Sequence, residues 1–204
     1  MKEKIFKYGA VLSAGLLVAA FAALYFFRPV PRCLRGDCEN GAGLLQYGDG
    51  TQYIGKFRAG KKEGFGLQST ATGETYEGDW QDGRPHGEGK HTMPGGSEYA
   101  GQYAHGQKNG FGTYIWPDGT RYRGQWKDGE PEGLGDVILP DGRRLSGIYK
   151  RGIVTDGGGI FIYDNGDRYI GQWKDGKRHG PGIVLSDHGT ILKAGIWKDD
   201  ILVP

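Results

Sequence analysis

Hydrophobic and polar positions follow two different rhythms along this chain. From Tyr8 to Phe27 twenty residues run without a charge, preceded by Lys2, Lys4 and Lys7 and closed by Arg28. As a helix rising 1.5 Å per residue, such a run reaches about 30 Å, the thickness of a bilayer's hydrocarbon core. It predicts a transmembrane helix or signal anchor over 8–27 behind a short basic tail at 1–7. From residue 41 onward the apolar residues alternate with polar ones in short stretches punctuated by glycine, the period of strands with one buried face. The chain divides accordingly into the tail, the apolar run, a linker at 28–40 and a β domain at 41–204.

The apolar run has two readings. Ala20-Phe21-Ala22 fits a signal-peptide cleavage site, which would release a secreted form. The run nevertheless continues past it through Leu24-Tyr25-Phe26-Phe27, and Tyr8 and Tyr25 suit the two interfacial aromatic belts. This favours an uncleaved single-pass anchor. The lysines before the run and Arg28, Arg32 and Arg35 after it balance, so the charge count alone sets no orientation. A short lysine-bearing tail is the usual start of an N-in anchor, which would place 28–204 outside the cytoplasm. Cys33 and Cys38, the only two cysteines, stand in the linker with four residues between them. They read as a small disulfide loop of an oxidising compartment, with two free thiols as the alternative. Two thiolates without a third ligand nearby cannot complete a zinc shell. Arg35-Gly36-Asp37, a tripeptide that integrins read, falls inside this loop and is treated as coincidence.

The glycines explain the β domain. There are 40 in 204 residues, about three times the usual share, and 34 of them lie on a repeat of 23 or 24 residues. Aligning on Tyr-x-Gly-x-aromatic gives Tyr53-Gly55-Phe57, Tyr76-Gly78-Trp80, Tyr99-Gly101-Tyr103, Tyr122-Gly124-Trp126, Leu145-Gly147-Tyr149, Tyr169-Gly171-Trp173 and Lys193-Gly195-Trp197. A Gly-x-Gly pair follows each of the first six, from Gly64 and Gly66 to Gly180 and Gly182, and an orphan pair, Gly41 and Gly43, precedes the first. The array is therefore about six units with half-units at both ends.

Each unit predicts a β-hairpin with two kinds of turn. Lys127-Asp128-Gly129-Glu130 fits a tight primed turn, and Trp116-Pro117-Asp118-Gly119 a type I turn closed by a glycine bulge. Tyrosine, glycine and tryptophan at i, i+2 and i+4 share one face, and both glycines of each Gly-x-Gly pair are expected there as bare backbone beneath the rings. The opposite face is mostly polar, as in Glu77, Asp79 and Gln81. The expected fold is all-β: an elongated, twisted, single-layer antiparallel hairpin meander of about fourteen strands, preceded by one N-terminal transmembrane helix. As in a solenoid, each unit should contact only its neighbours.

The unit Tyr-x-Gly-x-Trp-x-Asp-Gly-x-x-x-Gly-x-Gly, as at Tyr122 to Gly135 and Tyr169 to Gly182, resembles the MORN (membrane occupation and recognition nexus) repeat. The resemblance covers residues 41–200, nearly 80% of the chain. The lead-in Cys-x-x-Gly-Asp-Cys-x-Asn-Gly at Cys33 to Gly41 is similar to the start of bacterial MORN proteins. Leu145 and Lys193 in place of tyrosine, and one extra residue near Gly157, depart from the pattern. The resemblance implies attachment to proteins, tethering to membranes, or an accessory role beside a catalytic domain.

Charge and residue chemistry narrow the function. With 26 basic and 24 acidic residues the net charge is +2, which excludes the electrostatic footprint of a nucleic-acid binder. The five histidines make no ligand pair; His86 and His179 share a repeat position that holds Glu63, Asn109, Glu132 and Asp156 elsewhere. No helix follows any Gly-x-Gly, so none forms a phosphate cradle. Asp82, Asp128, Asp175 and Asp199 fall in turns, where aspartate caps backbone. No catalytic residue, cofactor or metal site is expected. The candidate site is the aromatic face, Tyr76, Trp80, Tyr99, Tyr103, Tyr122, Trp126, Tyr149, Tyr169 and Trp173, which serves either as core or as a partner groove. The leading expectation is a non-enzymatic membrane-anchored scaffold with an unidentified protein partner. Its repeat domain would face the extracytoplasmic side, the periplasm in a bacterium. Phospholipid head groups held by basic residues such as Lys56, Arg58, Lys61 and Lys62 are the second expectation, although no continuous basic stripe exists. A glycan-binding aromatic surface is the third, and a second copy of the chain stays among the candidate partners.

Overall fold

The computed structural model describes residues 30–204; the basic tail, the apolar run at 8–27 and the candidate cleavage site lie outside the described residues. Sixteen strands run in chain order: β1 Arg32–Gly36, β2 Ala42–Gln46, β3 Gln52–Arg58, β4 Lys61–Ser69, β5 Thr75–Gln81, β6 Arg84–Thr92, β7 Glu98–Ala104 and β8 Gln107–Ile115. Then come β9 Arg121–Lys127, β10 Glu130–Ile138, β11 Arg144–Lys150, β12 Ile153–Ile162, β13 Arg168–Lys174, β14 Lys177–Leu185, β15 Ile191–Lys198 and β16 Ile201–Val203. They form one antiparallel sheet in sequence order, because every connection is too short to skip a strand.

Both turn types take the expected geometry. In the tight turn two residues adopt positive φ, as in Asp82 (51°) and Gly83 (81°) or Asp128 (51°) and Gly129 (89°), the type I′ form that matches strand twist. In the other, the Gly119 amide donates to Trp116 O and the Trp116 amide to Thr120 O, both at 2.9 Å, with Gly119 at φ 83°.

The tyrosine face is built from one repeated contact. Tyr99 lies flat across Gly101 and Gly112, which face each other on β7 and β8, and a methyl group on either would run into its ring or hydroxyl. Tyr53, Tyr76, Tyr122 and Tyr169 cover their own glycine pairs in the same way. The hydroxyls donate to the backbone three residues on, for example Tyr99 to Gln102 O at 3.0 Å and Tyr76 to Asp79 O at 3.1 Å. Each tyrosine then meets its own unit's aromatic and that of the next unit edge to face. From Phe57 through Tyr53, Trp80, Tyr76, Tyr103, Tyr99, Trp126 and Tyr122 to Tyr149, centroids are 5.0–5.3 Å apart and planes cross at 77–90°. Such pairs contribute about 0.5–1.5 kcal/mol each beyond buried area.

Only the second glycine of each Gly-x-Gly pair lies under a ring. The first, such as Gly64, Gly87 or Gly133, sits at φ 61–70° in a bulge that inserts extra residues between the tight turn and the glycine row. The bulge also locks successive units. The Asp82 amide donates to the Glu63 carboxylate at 3.3 Å and the Arg151 amide to that of Glu132 at 2.8 Å, while the Gly83 amide donates to Lys62 O at 3.0 Å. His86 and His179 occupy the Glu63 position; the Nδ1 atoms of both are buried without a hydrogen bond, that of His179 standing 3.8 Å from the Asp199 carboxylate.

The start of the array imitates a preceding unit. Cys33 and Cys38 are joined by a disulfide, with Cα atoms 5.9 Å apart. Just past the second cysteine, Asn40 Oδ1 accepts the Ala59 amide at 3.0 Å and Glu39 O accepts the Gly60 amide at 3.0 Å, the roles of Glu63 and Lys62 one unit later. Asp37, of the Arg-Gly-Asp tripeptide, uses its carboxylate internally on the Glu39 and Asn40 amides.

At the fifth unit the expected single-layer, neighbour-only array gives way. Leu145 replaces the tyrosine, and β12 pairs with β11 only from Ile153 to Gly157, although elsewhere the pairing runs three rungs beyond the glycine row. Past Gly157, β12 leaves β11 and stays paired with β13 alone, and it packs against β10, two strands away. The Ile160 amide donates to the Tyr149 hydroxyl at 2.9 Å. The sheet thereby folds back, so that the face of β12 and β13 opposite the tyrosines is covered. Ile170 is 2% exposed, whereas Ile54 at the same repeat position is 55% exposed. Arg168, two residues before Ile170 on that face, is fully buried over the Trp116 ring (5.4 Å) and pairs with Asp118, fifty residues away.

Gly112→Ala should cost about 2–3 kcal/mol in urea denaturation because its methyl group displaces Tyr99. Gly83→Ala, with open space around it but positive φ, should cost about 1 kcal/mol. Equal losses would contradict the ring-on-glycine contact. Reducing the disulfide should remove about 2 kcal/mol of chain-entropy stabilisation and speed hydrogen exchange first at the Phe57, Ala59 and Gly60 amides, all bonded to the segment it braces.

Candidate functional site

Two residues after each tight turn the backbone places a side chain opposite the aromatic of the preceding strand: Lys62 faces Phe57, Pro85 Trp80, Lys108 Tyr103, Pro131 Trp126, Val154 Tyr149 and Arg178 Trp173. This position, filled by Leu202 opposite Trp197 in the last hairpin, points onto the tyrosine face, and three of its seven occupants are cations held against rings. Lys62 Nζ stands 4.3 Å from the Trp80 centroid and also bonds Gln68 Oε1. Arg178 stacks 4.2 Å from Trp197 and is tied to Asp200 and the Tyr163 hydroxyl. Lys108 Nζ lies 4.5 Å from Tyr114, 4.7 Å from Trp126 and 5.1 Å from Tyr99. The rings' negative faces attract the ammonium groups, while lost hydration disfavours their charge. Burial pulls both Lys62 and Lys108 down to about 8.

The nine aromatic residues singled out from the sequence all lie on this face, and each is 8% exposed or less. They are the core of the protein. Burial raises their hydroxyl pKa values, to about 12 for Tyr169 and further for Tyr76, Tyr99, Tyr103, Tyr122 and Tyr149. Two polar groups of the row have no partner: Tyr103 Oη, where tryptophan stands in other units, and Trp173 Nε1, beside the irregular β12. The corresponding indoles of Trp80 and Trp126 donate to Gly66 O and Gly112 O at 3.2 and 3.3 Å.

The row opens beside β12 and also toward its far end, beside Arg178 and Val184. Where β12 crosses the tyrosine face it leaves a crevice of about 460 Å³ floored by Tyr114, Trp116, Tyr122 and Trp126 and walled by Pro131, Ile153, Ile160 and Phe161. Lys108 is the charged group on its floor; Glu130, Arg151 and Asp164 stand exposed at its rim. Sequence reasoning passed over Lys108, since a lysine just after a turn reads as solvated. The signal available was register: Lys61, one residue after its turn, is exposed, whereas Lys62 and Lys108, two residues after theirs, face the rings. On the opposite face a second hollow of about 420 Å³ crosses β2 to β4, lined by Arg35, Leu44, Ile54, Phe65 and Leu67. Among the described residues no three His, Cys, Asp or Glu side chains converge to hold a metal ion.

A single sheet of hairpins, each sealed by tyrosine on paired glycines and locked to the next through its turn, defines a β-repeat array. The MORN repeat family model matches residues 53–75, 76–98, 99–121, 122–142 and 169–186, together more than half of the chain, and the protein belongs to the MORN repeat family. The unmatched stretch between 142 and 169 is the one that holds Leu145 and the displaced β12. No curated protein matches the sequence. Among solved structures, the chain is similar to the SAS-4 TCP domain of Drosophila melanogaster in complex with a proline-rich motif of Ana2. The identity is 12% and the TM-score 0.44, with 97% of each chain covered. It is also similar to the TCP10 domain of Danio rerio CPAP, at 15% identity and TM-score 0.34 over 76% of this chain and 79% of that one. These likenesses carry no functional argument.

Between pH 8 and about 10 the unfolded chain keeps the lysine protons that folded Lys62 and Lys108 have released, so stability should rise with pH in that window. Above about pH 10 unfolded tyrosines ionise while the buried ones do not, and stability should fall. Urea midpoints measured from neutral to strongly alkaline pH should show this maximum, and the double variant K62M/K108M should lose the rise while keeping the fall.

Proposed function

We propose that the protein is a non-enzymatic scaffold, anchored in the membrane by residues 8–27, whose MORN array docks a protein partner on the extracytoplasmic side. The observation that supports this reading is the mostly sealed tyrosine face with its apolar crevice beside β12. An array whose aromatics are consumed as core, yet which leaves an apolar crevice with a cation at its floor, offers recognition without a set of groups placed for chemistry. The disulfide loop suits an oxidising compartment, and in a bacterium the array would face the periplasm.

A second reading rests on the hollow across β2 to β4. Exposed Ile54, Phe65 and Leu67 and half-buried Leu44 form an apolar patch beside Arg35, within a few strands of the start of the array. That patch fits contact with an anionic membrane surface close to the anchor.

Crosslinking of the full-length protein in native membranes, followed by mass spectrometry, should recover a specific protein, and the chain should resist carbonate extraction with Met1 to Phe27 intact. Recovery of a soluble species beginning near residue 23 would overturn the anchor. Salt-sensitive flotation of the array on anionic vesicles, abolished by Phe65→Asp, with no protein crosslinked would favour the membrane-surface reading.

A further inference from the structure

Resting on the scaffold reading, we propose that the crevice between β12 and the tyrosine face is a pocket for an extended acidic peptide segment of the partner. It takes an aromatic or large aliphatic side chain whose neighbouring carboxylate pairs with Lys108. The two components are physically distinct. The floor of Tyr114, Trp116, Tyr122 and Trp126 and the wall of Ile153, Ile160 and Phe161 supply flat apolar contact on both sides. A volume of about 460 Å³ lies within the range of small-ligand pockets and admits one or two side chains.

Lys108 supplies the polarity. Its ammonium group is half-buried against three rings, and desolvation alone lowers its pKa, with no carboxylate contributing. The other two cations held against rings on the tyrosine face each have a polar partner: Lys62 has Gln68 and Arg178 has Asp200. An incoming carboxylate would restore the ion pair that Lys108 lacks, in a site from which water is partly excluded. One cation matches one negative charge. A phosphate dianion would bring surplus charge into an apolar crevice, and that mismatch is costly. The acids near the site, Glu130 and Asp164, lie exposed at the rim, where water screens them and Arg151 offsets one of the two charges.

Lys62 provides an internal control. It has the same repeat position and meets the equivalent rings, Tyr53 and Trp80, but the crevice lies over β8 to β10 and β12 and does not reach it.

The test uses the full-length protein in detergent micelles with three probes of one shape: 3-phenylpropionate, 3-phenylpropanamide and 3-phenylpropylamine. Titration is followed by saturation-transfer NMR and by quenching of tryptophan emission. The carboxylate should bind saturably about tenfold more tightly than the amide, and the amine more weakly still. Lys108→Met should bring the carboxylate to the level of the amide, and Lys62→Met should leave the tenfold preference intact. Ile153→Glu, at a half-exposed wall position, should weaken the carboxylate selectively without touching Lys108. Equal binding of all three probes, no saturable binding, or a preference that survives Lys108→Met would overturn the proposal. Charge-selective binding without any crosslinked protein would leave the pocket standing and overturn the scaffold. A crosslinked partner without charge-selective binding would do the reverse.

Discussion

A tyrosine ring lying on two glycines that face each other across neighbouring strands is the contact on which the rest of this structure depends. The ring can lie flat only because neither glycine carries a Cβ, and its hydroxyl then reaches a backbone carbonyl three residues on. Laid down in this way, each ring presents its edges to two larger aromatics, one in its own unit and one in the next. A sheet one layer thick, which has no opposing layer to bury its apolar side, thus makes a core from rings tiled over bare backbone. The type I′ turns and the glycine bulges serve this tiling. They hold the glycine row in register and let each turn take hydrogen bonds from the unit before it.

The array folds back at β12, where this contact is missing. Leu145 has neither ring nor hydroxyl to lay across Gly147, and the longer fifth unit holds β12 to β11 for fewer rungs. Freed beyond Gly157, β12 crosses the tyrosine face, and Ile160 of β12 and Ile170 of β13 come under cover. Fully burying Arg168 beside Asp118 is the electrostatic consequence, since a guanidinium so desolvated persists only with a carboxylate at hand. The crevice is the space left by this crossing, so the departure of the fifth unit from the repeat is also what exposes part of the aromatic core.

Much of this was legible in the chain. The period of 23 or 24 residues, the two turn chemistries and the alternation of Tyr, Gly and Trp on one face are all local, and the residues that carry them stand within a single unit. The roles of individual glycines were not. Gly64 and Gly66 look equivalent in sequence, yet one is a left-handed bulge residue and the other lies under Tyr53, because the inserted residues change which face each presents. Lys61 and Lys62 differ because successive residues of a strand face opposite sides of the sheet, and the turn sets which of the two meets the rings. Lys108 escaped notice because its partners, Tyr99, Tyr114 and Trp126, come from three different strands.

By itself, then, the sequence determined the antiparallel meander, its strand order and its aromatic side, since short turns and period-two alternation leave a chain no other way to bury its rings. Only the tertiary structure decided that the array folds over at its fifth unit, that the candidate aromatic groove is mostly sealed core, and that one lysine remains at the floor of what stays open. Those outcomes depend on contacts between residues up to fifty positions apart, such as Arg168 and Asp118. The pattern within a single unit contains no trace of them.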